Sequence, residues 1–344
     1  MGHPVIVLGA SGYGGLELLR LLDGHSGMRV VGAAASTRVG DPVGGLLPHA
    51  SSYEGMGFVS VEEAMAADAE LVFSSLPHGQ SASIFGEGAG AKVVDVSGDF
   101  RLKGPSLYEQ WHGEPHPNPE SLEEWVYGLT ELRREEIRNA SRVADPGCYA
   151  AAAVLALAPL VEAGFIDPNW IHVDAKSGIS GAGRAGGEGF GFAEAAENAR
   201  PYSVTGHKHI PEIEQELSAL AGSEVEITFV PHLVPMSRGL LVTCAARLTR
   251  EVSSAELIEA LRERFRGEPF VRVLGEDALP ETKRLSGTNT AEVTARADPR
   301  TGVVLAMAAL DNLGKGAAGQ AVQNANLMLG FEETTGLATQ GLVP

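Results

Sequence analysis

The sequence predicts an α/β domain with a doubly wound parallel sheet, followed by an α+β domain built on a mixed or antiparallel sheet. Three observations carry this. Residues 1–147 alternate short β-rich runs with helical patterns, the signature of parallel strands joined by crossover helices. After Cys148 strands follow strands with few helices between them. A glycine-rich turn joins the first strand to the first helix at the start of the chain, the arrangement of a nucleotide-binding βα unit.

In order, Val5–Leu8, Met28–Ala35, Leu71–Leu76, Lys92–Ser97, Trp125–Tyr127 and Arg142–Ala144 read as strands of the first domain. Tyr13–Leu22, Val61–Ala67, Ser81–Glu87 and Glu131–Asn139 read as its helices. The proline-rich, polar stretch Leu102–Glu124 is expected to be a surface loop, with His112 and His116 exposed on it. Ala150–Ala163 is an alanine-rich helix. Strands are then expected near Ile171–Ala175, Val225–Val230, Gly239–Arg247, Phe270–Val273, Glu292–Arg296 and Val303–Leu310. Helices interrupt them within Ile210–Leu220 and at Ser253–Arg266, and a last helix, Gly316–Leu329, opens with small residues that suit packing back on the first domain.

Composition bounds the function. The length of 344 residues fits two domains at roughly 100–200 residues each. Apolar residues at 44% suffice for sizeable cores. The 43 glycines are scattered without period, which points to tight turns and close backbone approaches to a ligand. The formal net charge of −18 opposes general attraction to nucleic acid or anionic membranes. No apolar run reaches the ~18 residues of a membrane span. The N-terminus has neither the basic region nor the cleavage pattern of a secretory signal. Two cysteines cannot make a disulfide framework or a four-cysteine zinc site. A soluble, cytoplasmic enzyme acting on a small molecule is the starting class.

The turn Gly9-Ala10-Ser11-Gly12-Tyr13-Gly14-Gly15 lets backbone N–H groups approach a pyrophosphate at a helix N-terminus. The second strand ends Ala33-Ala34-Ala35-Ser36-Thr37-Arg38, without the acid that would hold the ribose hydroxyls of NAD. Hydroxyls plus Arg38 suit a 2′-phosphate, so NADP(H) is the expected cofactor; a merely solvated Arg38 is the plainer alternative. Two further strand ends, Ser74-Ser75-Leu76-Pro77-His78-Gly79 and Ser97-Gly98-Asp99-Phe100-Arg101, should reach the same crevice. There the planar fork of Arg101 suits a phosphoryl or carboxylate group of the substrate.

Cys148 lies in Asp145-Pro146-Gly147-Cys148-Tyr149, where Pro-Gly turns the chain from a strand into the alanine-rich helix. A thiol at a helix N-terminus is stabilised as thiolate, the attacking species. Cys244, in the apolar run Leu240–Ala246, reads instead as core. A nucleophilic thiol beside a nicotinamide suggests thioester chemistry on an activated acyl group. Such chemistry needs an acid/base, and histidine titrates nearest neutrality. The informative cluster is Tyr202–Glu212, with His207 and His209; these two have no third ligand at metal spacing, so no metal is expected.

At these residues the chain resembles the N-acetyl-γ-glutamyl-phosphate reductases, NADPH-dependent enzymes of arginine biosynthesis. The likeness runs through essentially the whole chain. It rests on Gly9–Gly15, Leu76–Gly79, Asp99–Leu102, Pro146–Tyr149, Ser177–Arg184, Gly206–His209, Val230–Gly239 and Asp311–Gly316. The resemblance implies a discontinuous Rossmann-type domain, residues 1–147 together with 313–344, and a catalytic and oligomerisation domain, 148–312. It implies Cys148 as nucleophile and His207 as acid/base, with substrate contacts at Tyr202, His209 and Arg238. It also brings the loops holding Ser177, Gly178, Gly181, Asn312 and Gly316 near the nicotinamide and phosphates, beside Gly9, Ser11, Gly12, Tyr13, Gly14, Ser36, Arg38, Ser74, Leu76 and Pro77. A homodimer or homotetramer built on the second domain's sheet is expected. The family usually has Thr three residues after the cysteine; this chain has Ala151. The alternatives are a reductase of aspartyl phosphate or of a carrier-linked aminoadipyl or glutamyl phosphate, and a non-catalytic NADP-binding sensor. A structural ion pair remains the alternative for Arg238.

Overall fold

The computed structural model describes residues 2–86, 90–184 and 189–341. Glu87, the expected end of the third helix, and residues 342–344 of the expected discontinuous domain lie outside the described residues. The chain forms two compact units: Met1–Pro146 with Gly183–Ala185 and Ala317–Leu337, and Gly147–Ala182 with Gly186–Gly316 and Ala338–Pro344.

The first unit holds a parallel sheet of β1 (His3–Leu8), β2 (Met28–Ala34), β3 (Leu71–Ser74), β4 (Lys92–Asp95), β5 (Val126–Tyr127) and β6 (Arg142–Ala144), in the order β2-β1-β3-β4-β6-β5. Its helices are α1 (Tyr13–Asp23), α2 (Val61–Met65), α3 (Gln80–Ile84), α4 (Pro105–His112) and α5 (Thr130–Asn139). The unbroken apolar run Val5-Ile6-Val7-Leu8 follows from burial on both faces. Val5 and Val7 pack with Leu18, Leu19 and Leu22 of α1 and with the last helix, Gly319–Leu329; Ile6 and Leu8 pack toward Phe85, Leu122 and Trp125. Because β2 and β3 flank β1 on opposite sides, the strand order reverses between β1 and β3. Leu8 there pairs with both Ala34 and Ser74, so the turns after these strands open at one crevice.

The stretch Leu102–Glu124 is not the surface loop expected from its prolines. It forms α4 and a 3₁₀ turn, Pro119–Glu124, and buries Tyr108, His116 and Leu122. Pro105 and Pro119 each stand at the start of a helical segment, where the missing N–H costs nothing, so they initiate structure here. His116 is buried, with Nε2 on the Asp99 carbonyl at 3.1 Å; His112 stacks on His78 at 4.2 Å between ring centroids.

The helix Gly319–Leu329 is tied into the first unit by amides rather than by apolar packing alone. Asn324 Nδ2 donates to the Gly128 carbonyl (2.8 Å) and to Asp145 Oδ1 (3.1 Å), and Gln320 Nε2 donates to Gly128 O (2.9 Å) and Thr130 Oγ1 (2.7 Å). The side chains of Asn324, Gln320, Thr130 and Asp145 are all fully buried, so each partner depends on the others.

The second unit comprises α6 (Cys148–Glu162), β7 (Ile166–Ser177), α7 (Phe192–Ala195), β8 (Arg200–Pro201), α8 (Ile210–Ala221), β9 (Ile227–Leu233), β10 (Leu240–Leu248), α9 (Ser254–Arg264), β11 (Val271–Val273), β12 (Ala291–Asp298) and β13 (Val303–Leu310). The seven strands run β11-β12-β13-β10-β7-β9-β8 in a mixed sheet. Tyr149–Val161 of α6 are all buried, which explains the alanine run: small side chains let the helix lie close on the sheet. On β10 the buried face is Val242, Cys244 and Ala246, while Leu241, Thr243 and Ala245 are half-buried on the other. At one sheet end Ser177 pairs with Leu233 and Leu240, and Leu240 with Leu310. The segments after β7, β9 and β13 and the one entering β10 therefore emerge side by side.

Replacing Asn324 by Ala should lower unfolding free energy by about 1–3 kcal/mol, because it removes the acceptor of the buried Thr130 hydroxyl (2.8 Å) and a donor to the buried Asp145. Urea denaturation followed by far-UV circular dichroism checks this, and an unchanged midpoint would contradict it.

Candidate active site

In the first unit, the turn after β1 is built for close approach. Gly9 has φ 72°, and a Cβ on it would collide with the Ser75 carbonyl; one on Gly15 would collide with Gly9 O. Gly12 is the N-cap of α1 and supplies no side-chain cap, while a Cβ there would meet only Gly9 O at 3.4 Å. The N-terminal amides of an 11-residue helix thus face a glycine-floored cradle, which fits a dinucleotide pyrophosphate. Tyr13 is exposed beside it, Ser11 and Gly14 are half-buried, and the hydroxyl of Ser75 stands where a Gly14 Cβ would sit. Ser74 is fully buried, its hydroxyl on Ser81 at 2.6 Å, so it supports the turn from beneath. Ser36 is exposed, and Arg38 leans on Asp41 at 3.2 Å, an exposed pair too weak to commit the guanidinium.

The turn Leu76–Gly79 is held by Asp99. Its carboxylate accepts the amides of Gly79 (2.8 Å) and Ala82 (3.0 Å) and pairs with His78 Nδ1 at 2.7 Å. Burial pushes Asp99 upward, but these bonds outweigh it and hold the carboxyl below its usual range. The sequence showed His78 and Asp99 as separate strand-end residues; their pairing across two loops had no local signal. Arg101 donates to the carbonyls of Asp145 (2.7 Å) and Val96 (3.0 Å), so two of its donors serve the fold.

In the second unit, Cys148 is the first residue of α6, half-exposed, with Gly147 as N-cap. The Gly147 amide donates to Glu212 Oε1 at 2.7 Å, which ties this turn to the first turn of α8. A Cβ on Gly147 would enter the His209 imidazole, and one on Gly316 would come within 2.8 Å of the Cys148 Cβ. Both glycines make room around the thiol. Ala151 is fully buried in α6, where its amide donates to Gly147 O at 2.8 Å.

His207 sits among rings: Tyr149 at 5.6 Å, Tyr202 at 5.5 Å, His209 at 4.7 Å and Phe229 at 5.2 Å between centroids. Burial, aided by the charge of His209, pushes its pKa down to about 3 against the opposing pull of Glu212. The His209 amide donates to His207 Nδ1 at 3.2 Å, which leaves the proton of the neutral ring on Nε2. Tyr202 donates to the Tyr149 hydroxyl at 3.2 Å, and burial pushes Tyr202 up to about 12. Cys148, Tyr149, Tyr202, His207, Lys208 and His209 line a cavity of about 390 Å³, together with Ser177 and Gly181. Cys244 is fully buried in the sheet, and burial pushes its thiol up to about 12.

The neighbouring loops are stapled to each other. Gly178 donates to Gly239 O (2.9 Å) and Ser180 to Ser237 O (3.1 Å), while Asn312 donates to Ser180 Oγ (2.9 Å) and accepts from Gly239 N (2.8 Å). Arg238 Nε pairs with the buried Asp311 at 2.9 Å. Asp311 also accepts the amides of Gly287, Leu313 and Gly314. The ion pair considered as the plainer alternative for Arg238 is therefore present.

The chain matches the semialdehyde dehydrogenase NAD binding domain over residues 4–140 and the semialdehyde dehydrogenase dimerisation domain over residues 148–312. It is 45% identical over 341 residues to the N-acetyl-γ-glutamyl-phosphate reductase of Desulforudis audaxviator, covering 98% of this chain and 99% of that one. It is 47% identical over 345 residues to that of Geobacter metallireducens, covering 99% of each. The chain belongs to the N-acetyl-γ-glutamyl-phosphate reductase family. Among solved structures, aspartate semialdehyde dehydrogenase II from Vibrio cholerae superposes with a TM-score of 0.71 at 19% identity, covering 96% of this chain and 99% of that one. The enzyme from Candida albicans, solved with NADP, gives 0.61 at 17%, covering 96% and 99%. These likenesses show the shared two-domain fold. As a member of a family of aldehyde-forming oxidoreductases, the chain is an enzyme, and among its described residues no cluster of metal-ligating side chains occurs.

Sequence reading missed Ser75, Glu212 and Lys208. Ser75 adjoins a residue that was singled out, and Glu212 and Lys208 lie inside the histidine loop, but nothing in their spacing marks them. Iodoacetamide at neutral pH should label Cys148 and spare Cys244 in the folded protein. Peptide mass mapping checks this, with denatured protein as the control in which both react. Equal labelling of the native chain would contradict the burial of Cys244.

Proposed function

We propose that the enzyme reduces N-acetyl-γ-glutamyl phosphate with NADPH to N-acetylglutamate 5-semialdehyde and phosphate, a step of arginine biosynthesis in the cytoplasm. The observation that carries the reading is the half-exposed Cys148 at the N-terminus of a 15-residue helix, in a cavity rimmed by a neutral histidine. The names of relatives 43–47% identical over nearly the whole chain support the acyl group.

The Cys148 thiolate, favoured by the helix N-terminus, attacks the acyl carbon. A C–S bond forms, the C–O bond to phosphate breaks, and the electron pair leaves with the phosphate. NADPH, when bound, supplies the hydride that reduces the thioester carbon. His207 presents Nε2–H to the oxygen that gains charge and manages its proton. Collapse breaks the C–S bond, releases the aldehyde and restores the thiolate. Tyr202 and His209 line the acyl pocket. The reading gives the α-carboxylate to Arg238, whose fork Asp311 holds in one orientation. Arg101 remains a candidate substrate contact only through donors beyond those it places on Asp145 and Val96. Gly9, Ser11, Gly12, Tyr13, Gly14, Leu76 and Pro77 hold the pyrophosphate side of NADPH, and Ser36 with Arg38 its 2′-phosphate. Ser177, Gly178, Gly181, Asn312 and Gly316 belong to the nicotinamide end. A homodimer is the assembly this reading favours. The sheet face turned away from α6 carries Trp170 (42% exposed), Leu305 (38%) and the half-buried Met307, an apolar surface suited to a second copy.

Phosphate-dependent reduction of NADP⁺ by N-acetylglutamate semialdehyde tests the whole reading, with aspartate semialdehyde and NAD⁺ alongside. Greater activity on aspartate semialdehyde would overturn the acyl assignment. In the same assay Arg38→Ala should raise KM for NADP⁺ more than for NAD⁺, since it removes a charge aimed at the 2′-phosphate; equal effects would defeat that role.

His207→Asn should lower kcat by ~10²–10⁴-fold, the usual contribution of an acid/base. Because the ring is neutral down to about pH 3, kcat/KM should show no His207 step near the usual histidine pKa of ~6.5. A step there that vanishes in the variant would contradict the desolvated geometry. The same burial lowers fold stability as pH falls from about 6.5 toward about 3, because the unfolded chain binds a proton that the folded ring refuses.

A further inference from the structure

We propose that Lys208 is the phosphate-binding residue of this cavity, its ammonium holding the phosphoryl group that leaves from the acyl carbon. The inference rests on the reaction proposed above and names the group that meets one of the substrate's two anions.

Lys208 is exposed, lines the cavity with Cys148, and takes part in none of the ion pairs among the described residues. Among the described residues the cavity lining contains no carboxylate, and Lys208 is its one lysine or arginine. His207 is held neutral by burial and adds no charge. The other cations weighed for the substrate are engaged: Arg238 Nε with Asp311, and Arg101 with two backbone carbonyls in the first unit. Among the described lining residues, Lys208 is thus the one lysine or arginine set beside the thiol of an otherwise acidic chain.

The loop that carries Lys208 is also where backbone strain collects. Among the described residues the non-glycine positions with positive φ are Glu197 (56°), Ser203 (43°) and Thr205 (64°), and the last two lie just before His207. Strain of this kind persists where the surroundings fix the chain, and it concentrates at functional sites. At its other side the loop is anchored by His209, whose ring packs on Gly147, the residue before the nucleophile.

Phosphate is favoured over the α-carboxylate on chemical grounds. The phosphate is joined through oxygen to the carbon that Cys148 attacks, so its charge grows at the thiol as the C–O bond breaks. A lysine is a compact charge with three rotatable donors, suited to a tetrahedral group that moves as it departs. The fork of an arginine, fixed in one orientation as Arg238 is by Asp311, suits instead a planar carboxylate that stays in place through the reaction.

The test runs the reaction toward the acyl phosphate, with NADP⁺, N-acetylglutamate semialdehyde and inorganic phosphate varied separately. Lys208→Met should raise KM for phosphate by about 10–100-fold, the range for losing a charged hydrogen bond, and leave KM for the semialdehyde nearly unchanged. Lys208→Arg should recover most of the loss. A rise in the semialdehyde KM with phosphate unaffected would overturn the proposal in favour of the carboxylate. No change in either would overturn it as a solvated lysine. A second measurement needs no turnover: inorganic phosphate should protect Cys148 from iodoacetamide in the native enzyme and fail to do so in Lys208→Met. If the native enzyme shows no phosphate-dependent turnover, the reaction assigned above fails, and protection alone decides Lys208. Absence of protection in the native enzyme would overturn the proposal.

Discussion

The geometry of the thiol site depends on one hydrogen bond, from the Gly147 amide to the buried carboxylate of Glu212. It joins the start of α6 to the first turn of α8, the two elements that carry Cys148 and the histidine loop. Position 147 must be glycine for the same contact to exist, because any Cβ would displace the His209 ring. As N-cap, Gly147 adds no side-chain acceptor of its own to the first turn of α6. A charge-assisted bond of this type is typically worth about 1.5–3 kcal/mol, enough to keep the thiol and the imidazoles in register.

Around that anchor, local electrostatics runs against the charge of the whole chain. A net charge of −18 is hostile to a substrate bearing a phosphate and a carboxylate. Screening limits this repulsion to roughly the Debye length of ~8 Å, so the residues nearest the thiol decide what can bind. Among the described residues of the cavity these are rings, hydroxyls, small side chains, Leu233 and Lys208, without an acid among them. The acidic surface serves solubility, and the cavity is insulated from it.

Much of this was legible in the sequence because it is local. A strand buried on both faces, a glycine turn and a leucine helix are one continuous pattern, and β1, the turn and α1 stand where that pattern predicts. Pro-Gly-Cys before an alanine run likewise carries its own helix start. What escaped is what long-range contact decides. Pro105 and Pro119 look like loop residues until they are seen at helix starts, and His116 looks exposed until Asp99 receives it. The neutrality of His207 comes from Tyr149, Tyr202 and Phe229 closing around it, two of them from distant elements. The role of Glu212 required knowing that α8 would meet the start of α6.

Three buried carboxylates share one use. Asp99 accepts amides of Gly79 and Ala82, Glu212 that of Gly147, and Asp311 those of Gly287, Leu313 and Gly314. Asp99 follows β4, Asp311 follows β13 and Glu212 lies in α8, and each fixes a turn that carries candidate functional groups. For Asp99, giving up the charge would break the bonds that hold its turn, so this carboxylate supplies rigidity. For Asp99, whose pKa the bonds hold down, that rigidity is present above the unfolded carboxyl range and is lost as pH falls through its folded value. Acid should accordingly loosen the Leu76–Gly79 turn as its clamp protonates, even though His207 keeps its neutral form far below the usual histidine range.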